Sequence, residues 1–460
     1  MNQLRRLAYV ANLNYSYKGR YVLNLTGRYD GSNQLGKARK SRWLPTWNVS
    51  TSWNAHEEKW FQNWQEKTKN AFSHATLRLS YSLNGEQTTA SNALPIFRPE
   101  IIWRPWGDQQ ESAIYLSSLG NSELTYEKKH EFNVGIDLGF IGNRINLVTD
   151  FYWRDNFDLM GYTNTPGAGG EIRKFANVAS MKSHGVEATL TTQNIRNDDF
   201  SWTTDLTFAY CKTEITDLLA QTRVIDLVRQ NGSYRKGYPH RSLFSIPFMG
   251  LNDEGIPTII NEQGEVTTTD INFQENDKLD FLKYEGPTEP TTTGGMNNMI
   301  RWKNWRLNVF VTYSFGNKIR LDPVFASGYS DQSAMPKEFK NRWVIPGDEA
   351  KTTIPAIASV RQRSNDYTLS YAYNAYNYST ARVADGGFIR LKDVSLTYDF
   401  NPSFLHKLGL STASLKLDAT NLVLLYADKK LNGQDPEFVN AGGVASPLSK
   451  QFTLTVRLGI

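Results

Sequence analysis

Histidines are the side chains of this sequence best suited to bind a metal ion or to transfer protons near neutral pH. The six histidines are His56, His74, His130, His184, His240 and His406. They are far apart along the chain and have none of the close spacing of zinc ligands. His56 and His130 are each followed by glutamate, but no second histidine stands one helical turn later, so the zinc-protease motif is absent. The histidines therefore indicate no metal site.

Motifs for nucleophilic and phosphate chemistry are also absent from the sequence. It contains no Gly-x-Ser-x-Gly elbow and no P-loop. The segments 252–255 and 261–265 have the composition of calcium-binding loops, but their ligand spacing is degenerate, and ordinary turns are the alternative. We therefore predict that the protein is not an enzyme and that it has no catalytic residue, no metal and no cofactor.

Two clusters of aromatic residues form the candidate contact site. They lie in long segments between predicted strands, and asparagine and serine separate several tyrosines of the second cluster. The candidate residues are Trp103, Trp106 and Tyr115 in the first cluster and Tyr367, Tyr371, Tyr373, Tyr376 and Tyr378 in the second. Aromatic faces stack on sugar rings or peptide side chains, and neighbouring amides orient the ligand. We predict contact with a substrate or a lid protein, and packing of these loops against the strands or a neighbouring loop is the alternative.

The composition and charge restrict the class of protein. Of the 460 residues, 13% are aromatic and 21% are charged, and the mean hydropathy is -0.50. Strand and turn formers are abundant, which favours an all-β fold. The single cysteine, Cys211, excludes a disulfide framework. A net charge of +5 with scattered lysine and arginine indicates that nucleic acid is not a partner.

Alternation of apolar and polar residues with a period of two is the strongest structural signal. In Tyr21–Asp30 the odd positions are apolar or small, and the even positions are mostly polar. Such segments are about ten residues long, which is the length that a tilted strand needs to cross a bilayer, whereas no apolar stretch is long enough for a transmembrane helix. The predicted strands are 5–17, 20–30, 42–55, 74–84, 126–140, 143–155, 176–192, 200–213, 290–301, 304–316, 387–400, 412–422 and 450–460.

The connections between these strands alternate between short and long, as in outer-membrane barrels with short periplasmic turns and long outer loops. Tight turns are predicted at 18–19, 141–142 and 303. The predicted long outer loops are near 86–124, 156–175, 214–289, 317–386 and 423–449. Two segments depart from the simple pattern, because 55–73 is long for a periplasmic connection and the apolar run 243–251 must lie within an outer loop. The pattern predicts a transmembrane antiparallel β-barrel of about 13 strands that is incomplete, since loop parity starts the chain on the outer side.

Six segments, in this order, resemble the SusC/RagA-like TonB-dependent outer-membrane transporters of Bacteroidota. They are NLNYSYKGRYVLNLTGRYDGSNQLG, TYEKKHEFNVGIDLGFIGNRINLVTDFYWRDNFDLM, NVASMKSHGVEATLTT, GPTEPTTTGGMNNMIRWKNWRLNVFVTYSFGNKI, DGGFIRLKDVSLTYDF, and LDATNLVLL followed by GQDPE. The resemblance covers 12–460. The chain departs from the family at Ile460, where an aromatic residue is usual.

The resemblance implies that residues 1–460 are the C-terminal part of a barrel of about 22 strands. By this interpretation the plug domain, the segment that engages TonB and about nine strands are missing from the chain. The N-terminal residues themselves predict no signal peptide, because no apolar region follows the two arginines. The implied partners are a SusD-like surface lipoprotein that forms the lid, the lipid bilayer, the barrel-assembly machinery and a complementary N-terminal barrel chain. TonB would act only through the missing plug region. The implied location is the outer membrane of a Gram-negative bacterium.

The predicted function is uptake of an oligosaccharide or an oligopeptide through the outer membrane, without covalent chemistry. Two other classes remain open from the residues alone. One is a passive or split β-barrel subunit with a structural or interaction role, and the other is a soluble, β-rich adhesin.

Overall fold

A computed structural model describes residues 5–33, 35–36, 38–86, 94–104, 106–107, 109–167, 172–323, 337–438 and 449–459. Ile460 and parts of four predicted loops (87–93, 168–171, 324–336 and 439–448) lie outside the described residues. No helix in the described part of the chain is long and apolar enough to cross a membrane.

The described strands, in chain order, are β1 (Arg6–Tyr17), β2 (Tyr21–Ser32), β3 (Trp43–Asn54), β4 (Phe72–Glu86), β5 (Ile96–Trp103), β6 (Gln110–Ser118), β7 (Glu127–Phe140), β8 (Ile145–Asn164), β9 (Arg173–Arg196), β10 (Phe200–Leu218), β11 (Ser242–Ser245), β12 (Phe248–Leu251), β13 (Pro257–Ile260), β14 (Val266–Thr267), β15 (Lys283–Pro287), β16 (Thr292–Trp302), β17 (Trp305–Phe315), β18 (Lys318–Arg320), β19 (Val383–Asp385), β20 (Phe388–Asp399), β21 (Thr412–Ala427) and β22 (Gln451–Gly459).

The described α-helices are α1 (Arg39–Arg42), α2 (Lys59–Lys67), α3 (Val224–Val228), α4 (Val360–Asn365), α5 (Leu369–Asn377) and α6 (Pro402–Leu405). Single turns of 3₁₀ helix occur at Ala55–Glu57, Lys337–Asn341, Asp348–Ala350, Thr380–Arg382, His406–Leu408 and Lys429–Leu431.

One antiparallel sheet of 13 strands dominates the fold. Its order is β1-β2-β3-β4-β7-β8-β9-β10-β16-β17-β20-β21-β22, so each strand lies beside the next sheet strand along the chain. These are the 13 segments predicted from the sequence, and the all-β class is confirmed. The apolar run 243–251 forms β11 and β12, which belong to small separate sheets, as its predicted place in a loop requires.

The chain divides into two compact units. The first contains residues 1–188 and 211–221, and the second contains 189–210 and 222–460. Each unit carries part of the 13-stranded sheet together with long connections.

In the first unit, the strand register places apolar side chains in rows across one face of the sheet. Successive Cα partners form one such row: Leu13, Leu25, Val49, Tyr81, Phe132 and Trp153. The adjacent positions point to the opposite face and form a polar row: Asn12, Thr26, Asn48, Ser82, Glu131 and Arg154. Because side chains alternate along a strand, a slip of one residue in any pair would mix the two faces. The register therefore gives this sheet a continuous apolar face and a continuous polar face.

The second unit shows the same separation. One row of Cα partners is apolar: Trp202, Ile300, Leu307, Leu396, Leu417 and Leu454. A neighbouring row on the other face is polar: Ser201, Arg301, Arg306, Thr397, Lys416 and Thr455.

Three central strands are longer than the sequence analysis predicted. β8 continues to Asn164, β9 begins at Arg173 and β10 ends at Leu218. Much of the segment 156–175 is therefore strand rather than irregular loop. Alternation alone did not reveal this extension, because polar residues and glycine interrupt the pattern beyond Phe157.

The long connections of the second unit fold around a small core of their own, which we call the loop core. Its buried members are Val224, Leu227, Val228, Phe244, Ile246, Ile259, Leu279, Leu282 and Ala375. These residues come from α3, from short strands and from α5, so segments distant in sequence pack together. The long connections are therefore structured elements that present surfaces in fixed positions.

Candidate functional site

The first aromatic cluster lies on the hairpin of β5 and β6. Trp103 ends β5 and pairs with Gln110, whereas Tyr115 pairs with Arg98. Trp106 lies in the connection between the two strands and is 97% exposed. Trp103 is 62% exposed. Paired residues share a face and successive pairs alternate, so Trp103 and Tyr115 lie on opposite faces of this hairpin.

The face that carries Trp103 is apolar except at Gln110 and Ser112, and we call it the hairpin apolar face. Its members are Phe97, Pro99, Ile101, Trp103, Ile114 and Leu116. Phe97, Ile101 and Ile114 are all more than 60% exposed. A two-stranded hairpin is only marginally stable by itself, and exposed apolar patches of this kind mark interaction sites. The hairpin apolar face is therefore suited to contact with another molecule.

The second aromatic cluster divides into exposed and buried tyrosines. Tyr367, just before α5, and Tyr371, within it, are 74% and 49% exposed. Tyr373 and Tyr376 are buried on the other side of the same helix, and Tyr378 is half-buried. The predicted cluster is thus split by the helical geometry of α5, which the regular spacing of tyrosines did not reveal.

The inward tyrosines hold the long connections of the second unit together. The Tyr373 hydroxyl donates a hydrogen bond of 2.5 Å to the Ala356 carbonyl, and burial raises the pKa of Tyr373 to about 12. The Tyr376 ring packs edge-on against Phe248 with centroids 5.5 Å apart, and burial raises its pKa to about 12 as well. Tyr378 packs against Phe273 at the edge of the loop core. Tyr367 and Tyr371 are the members of this cluster that lie open to a ligand.

Arg320, which the sequence analysis did not single out, joins three segments of the second unit. Its guanidinium donates to the carbonyls of Val228 at 3.2 Å, Ser379 at 2.7 Å and Phe244 at 2.6 Å. It also donates to the Ser245 hydroxyl at 3.1 Å. Burial lowers the pKa of Arg320 to about 9, so the group keeps its charge at neutral pH. An isolated arginine between short apolar stretches gives no sequence signal for such a role.

The GQDPE segment, which contributed to the family resemblance, contacts β20 of the second unit through Arg390. The Arg390 guanidinium pairs with Asp435, and its Nε lies 3.3 Å from Glu437. Arg390 and Asp435 are both buried. Gln434 also donates a hydrogen bond of 2.9 Å to Asp322. The segment therefore fixes the connection after β21 to the sheet and to the neighbouring connection.

The two segments with the composition of calcium-binding loops form turns stabilised by asparagine side chains. The Asn252 side chain accepts hydrogen bonds from the backbone N–H groups of Glu254 and Ile256. The Asn261 side chain accepts in the same way from Gln263 and Glu265. These oxygens stabilise the turns, as asparagine commonly does. Within the described residues, no three His, Cys, Asp or Glu side chains are grouped to hold a metal ion.

The polar face of the first unit contains an ion-pair network centred on Arg78. Its guanidinium donates to Asp137 at 2.7 Å and to Asp150 at 3.1 Å. Arg78 is paired with Gly135, which in turn is paired with Asp150, so the long side chain crosses the strand between them. A Cβ at Gly135 would lie 2.6 Å from the Arg78 Cζ atom and 2.8 Å from an Asp150 oxygen. Glycine is therefore what permits this arginine to reach both carboxylates.

We predict that Gly135→Val lowers the free energy of unfolding by about 1–3 kcal/mol, the usual cost of overpacking. The valine must displace the Arg78 guanidinium from at least one aspartate. Urea unfolding followed by tryptophan fluorescence measures the change. The matched control is Gly27→Val, on the apolar face of β2, where a Cβ meets no atom within 4 Å. Equal unfolding midpoints for the two variants would contradict the role given to Gly135.

Comparison with curated proteins shows similarity over nearly the whole chain. TonB-dependent receptor P3 of Formosa agariphila is 26% identical over 451 residues, which are 95% of this chain and 42% of the relative. TonB-dependent receptor SusC of Bacteroides thetaiotaomicron is 23% identical over 473 residues, which are 99% of this chain and 43% of the relative. The chain thus spans less than half the length of these relatives. No protein-family model matches the chain.

Comparison with solved structures gives the same fold. A chain of the RagAB peptide transporter matches with a TM-score of 0.78 and 22% identity, over 99% of this chain and 48% of that one. The RagAB peptide importer in its open-open state matches with a TM-score of 0.76 and 22% identity, over 99% and 47% of the two chains. The resemblance to SusC/RagA-like TonB-dependent transporters predicted from the sequence is confirmed, as is the predicted barrel fold.

Proposed function

We propose that this SusC/RagA-like chain is the wall and loop portion of an outer-membrane transporter that takes up an oligosaccharide or an oligopeptide. The observation that carries the proposal is the register of the 13-stranded sheet, which separates apolar and polar side chains onto opposite faces in each unit. A membrane strand needs this alternation, because lipid contacts one face and water or protein contacts the other. The curated relatives are TonB-dependent receptors and the similar solved structure is a peptide transporter, which supports transport rather than catalysis.

The orientation follows from the lengths of the connections. Outer-membrane barrels have short turns at the periplasmic end and long loops at the outer end. We assign the tight turn between β1 and β2 to the periplasmic side, and the β5–β6 hairpin and the loop core to the outer side. Arg78, Asp137 and Asp150 then face the interior, where charged side chains are solvated or meet a plug.

The hairpin apolar face is our proposed contact for a SusD-like surface lipoprotein, the lid that the family resemblance implies. Exposed Ile101, Trp103 and Ile114 provide the aliphatic and aromatic area from which binding hot spots are built. Tyr367 and Tyr371 are the proposed substrate contacts, since their rings are exposed and can stack on a sugar or a peptide side chain. Energy would come from TonB, acting on a part of the transporter other than the sheet described above.

Two measurements test the proposal in the natural host. The first is the location of the chain, which we expect in the outer-membrane fraction after carbonate washing. The second is growth on oligosaccharides or oligopeptides as sole nutrient, which we expect to fail when the gene is deleted or when TonB is absent, while growth on the corresponding monomers continues. A chain released by carbonate would exclude the membrane role. A deletion strain that grows normally on every such oligomer would exclude uptake and favour a structural barrel subunit.

The lid contact is tested with variants of the hairpin. We predict that Ile101→Ser combined with Trp103→Ser lowers the affinity for a co-expressed SusD-like lipoprotein by about 10- to 100-fold, as expected for loss of central apolar contacts. The lipoprotein is identified by mass spectrometry after affinity purification of the tagged chain, and its affinity is measured with purified proteins. Tyr115→Ser, on the opposite face, is the control and should bind as the wild type does. Unchanged binding by the double variant would exclude this face as the lid contact.

A further inference from the structure

Helix α2 accounts for the long connection between β3 and β4. A single 3₁₀ turn at Ala55–Glu57 precedes it, and the helix runs over Lys59–Lys67. Phe61 is 3% exposed and faces inward, whereas Trp60 and Trp64 are 56% and 41% exposed. Positions four apart lie on one side of a helix, so these two indoles form a single outward ridge. A surface helix with its large aromatic residues pointing outward needs an explanation beyond folding.

The helix is held in a fixed position by turns on both sides of it. Before the helix, Glu58 accepts hydrogen bonds from Arg20 at 3.1 Å and from the Tyr21 hydroxyl at 2.7 Å. After it, the carbonyls of Asn70 and Ala71 accept from the backbone N–H groups of Gly142 and Ile141. The outward position of Trp60 and Trp64 is therefore built into the fold of the first unit.

The exposed ridge continues the apolar face of the sheet at its short-turn end. Trp60 lies 6.5 Å from Trp53, and Trp64 lies 5.2 Å from Phe72, measured between ring centroids. Phe72 in turn packs against Phe140 at 4.4 Å. Trp53 belongs to an apolar row, since its partners are Tyr21 and Leu77. The helix thus extends the same apolar face beyond the ends of the strands.

Three lysines flank this ridge: Lys59 and Lys67 at the two ends of α2, and Lys69 just beyond it. All three are exposed, and none forms an ion pair with a carboxylate of the described residues. Lys67 lies seven positions after Trp60 and so falls on the same side of the helix. Tryptophan beside lysine is the combination that favours a membrane–water interface, because the indole sits among the headgroups and the ammonium group meets phosphate.

We propose that α2 is an interfacial anchor that inserts Trp60 and Trp64 among anionic phospholipid headgroups, with Lys59, Lys67 and Lys69 contacting the phosphates. The proposal rests on the proposed function, since the sheet must cross the membrane for its short-turn end to meet lipid. Lipid is favoured over a protein partner because the ridge continues the face that lipid would cover, and because the lysines complement an anionic surface.

The insertion of the indoles is tested on the full chain folded into lipid vesicles. Brominated phosphatidylcholine quenches tryptophans within the bilayer, and acrylamide quenches those in water. The double variant Trp60→Phe and Trp64→Phe removes two of the 12 tryptophans. We expect the fluorescence that is lost in this variant to be the part that brominated lipid quenches in the wild type. The control Trp106→Phe, 97% exposed in the β5–β6 connection, should lose emission that acrylamide quenches.

The role of the lysines is tested with brominated phosphatidylglycerol against brominated phosphatidylcholine at equal mole fraction. We expect the anionic lipid to quench the Trp60 and Trp64 component more strongly in the wild type. The triple variant Lys59→Gln, Lys67→Gln and Lys69→Gln should abolish this difference. The control variant carries the same charge change in the long connections, with the substitutions Lys278→Gln, Lys337→Gln and Lys340→Gln. It should show the same difference in quenching between the two lipids as the wild type.

The outcomes separate this proposal from the proposed function. If brominated lipid quenches no tryptophan of the wild type, the sheet does not cross the membrane and both proposals fail. If the wild type is quenched by lipid but the emission lost in the Trp60 and Trp64 variant is quenched by acrylamide alone, the anchor fails and the membrane sheet stands. The latter result would place the two indoles in water and leave a protein partner as the alternative occupant of the ridge.

Discussion

Replacing Arg320 with methionine is expected to unfold the loop core while the 13-stranded sheet stays folded. The variant removes the guanidinium donor from the buried carbonyls of Val228 and Phe244, whereas the Ser379 carbonyl keeps only the backbone N–H of Arg382. Each buried polar group that loses its partner costs about 1–3 kcal/mol, so we expect a loss of about 3–5 kcal/mol in local stability. A core assembled from short strands, the five-residue α3 and the nine-residue α5 has little reserve against such a loss.

Hydrogen exchange followed by mass spectrometry measures this effect segment by segment. We expect peptides covering α3, β11 and β19 to exchange much faster in Arg320→Met, and peptides covering β2 and β17 to be unchanged. Arg320→Lys should behave like the methionine variant, because one ammonium group cannot reach carbonyls on three sides. Arg361→Met, at an exposed position of α4, is the control. Unchanged exchange in the loop core would show that Arg320 is not its main link.

The second large effect concerns the buried pair of Arg390 and Asp435. Asp435→Ala leaves the buried guanidinium with Glu437 as its one remaining carboxylate partner among the described residues, at 3.3 Å from its Nε. Breaking a buried ion pair by removing one partner typically costs about 3–5 kcal/mol. We expect the GQDPE segment to detach from β20 and become sensitive to proteases. Limited proteolysis with mapping of the cleavage sites measures the detachment.

A double variant distinguishes loss of the pair from loss of packing. Arg390→Met combined with Asp435→Leu removes both charges and fills much of the same volume, so it should recover most of the protease resistance. Glu437→Ala, which removes the more exposed carboxylate, is the control and should have a small effect. If the double variant is cleaved as readily as Asp435→Ala, the charge pair is not what holds the segment.

The strands of the main sheet were predictable because the alternation of apolar and polar residues is a local pattern that repeats in each strand. Leu13, Leu25 and Val49 form one row, and each is recognisable within its own strand as an apolar position of the alternating pattern. The loop core was not predictable in the same way. Its members, such as Val228 and Ile259, come from short segments, and tertiary packing rather than a periodic pattern unites them.

The segments that carry the candidate residues could be identified from the sequence, but which of those residues are exposed could not. Aromatic content drew attention to 103–115 and 367–378, yet it could not separate exposed Tyr371 from buried Tyr373. That separation depends on α5 being helical, and the run of tyrosine, asparagine and serine carries no strong helix signal. Arg320 was missed because its partners are backbone carbonyls, which leave no trace in the sequence.

The position of α2 has a consequence for the order in which the chain folds. The helix is fixed by Arg20 on one side and by the turn at Ile141–Gly142 on the other, so its final docking must wait for a hairpin whose turn follows Lys67 by about 75 residues. Contacts between residues so far apart in sequence form slowly, because the intervening chain must first be closed into a loop. During insertion, α2 would therefore reach its final position only after β7 and β8 have joined the sheet. Docking of α2 would then connect the six strands β1–β4, β7 and β8, so that they behave as one cooperative folding unit.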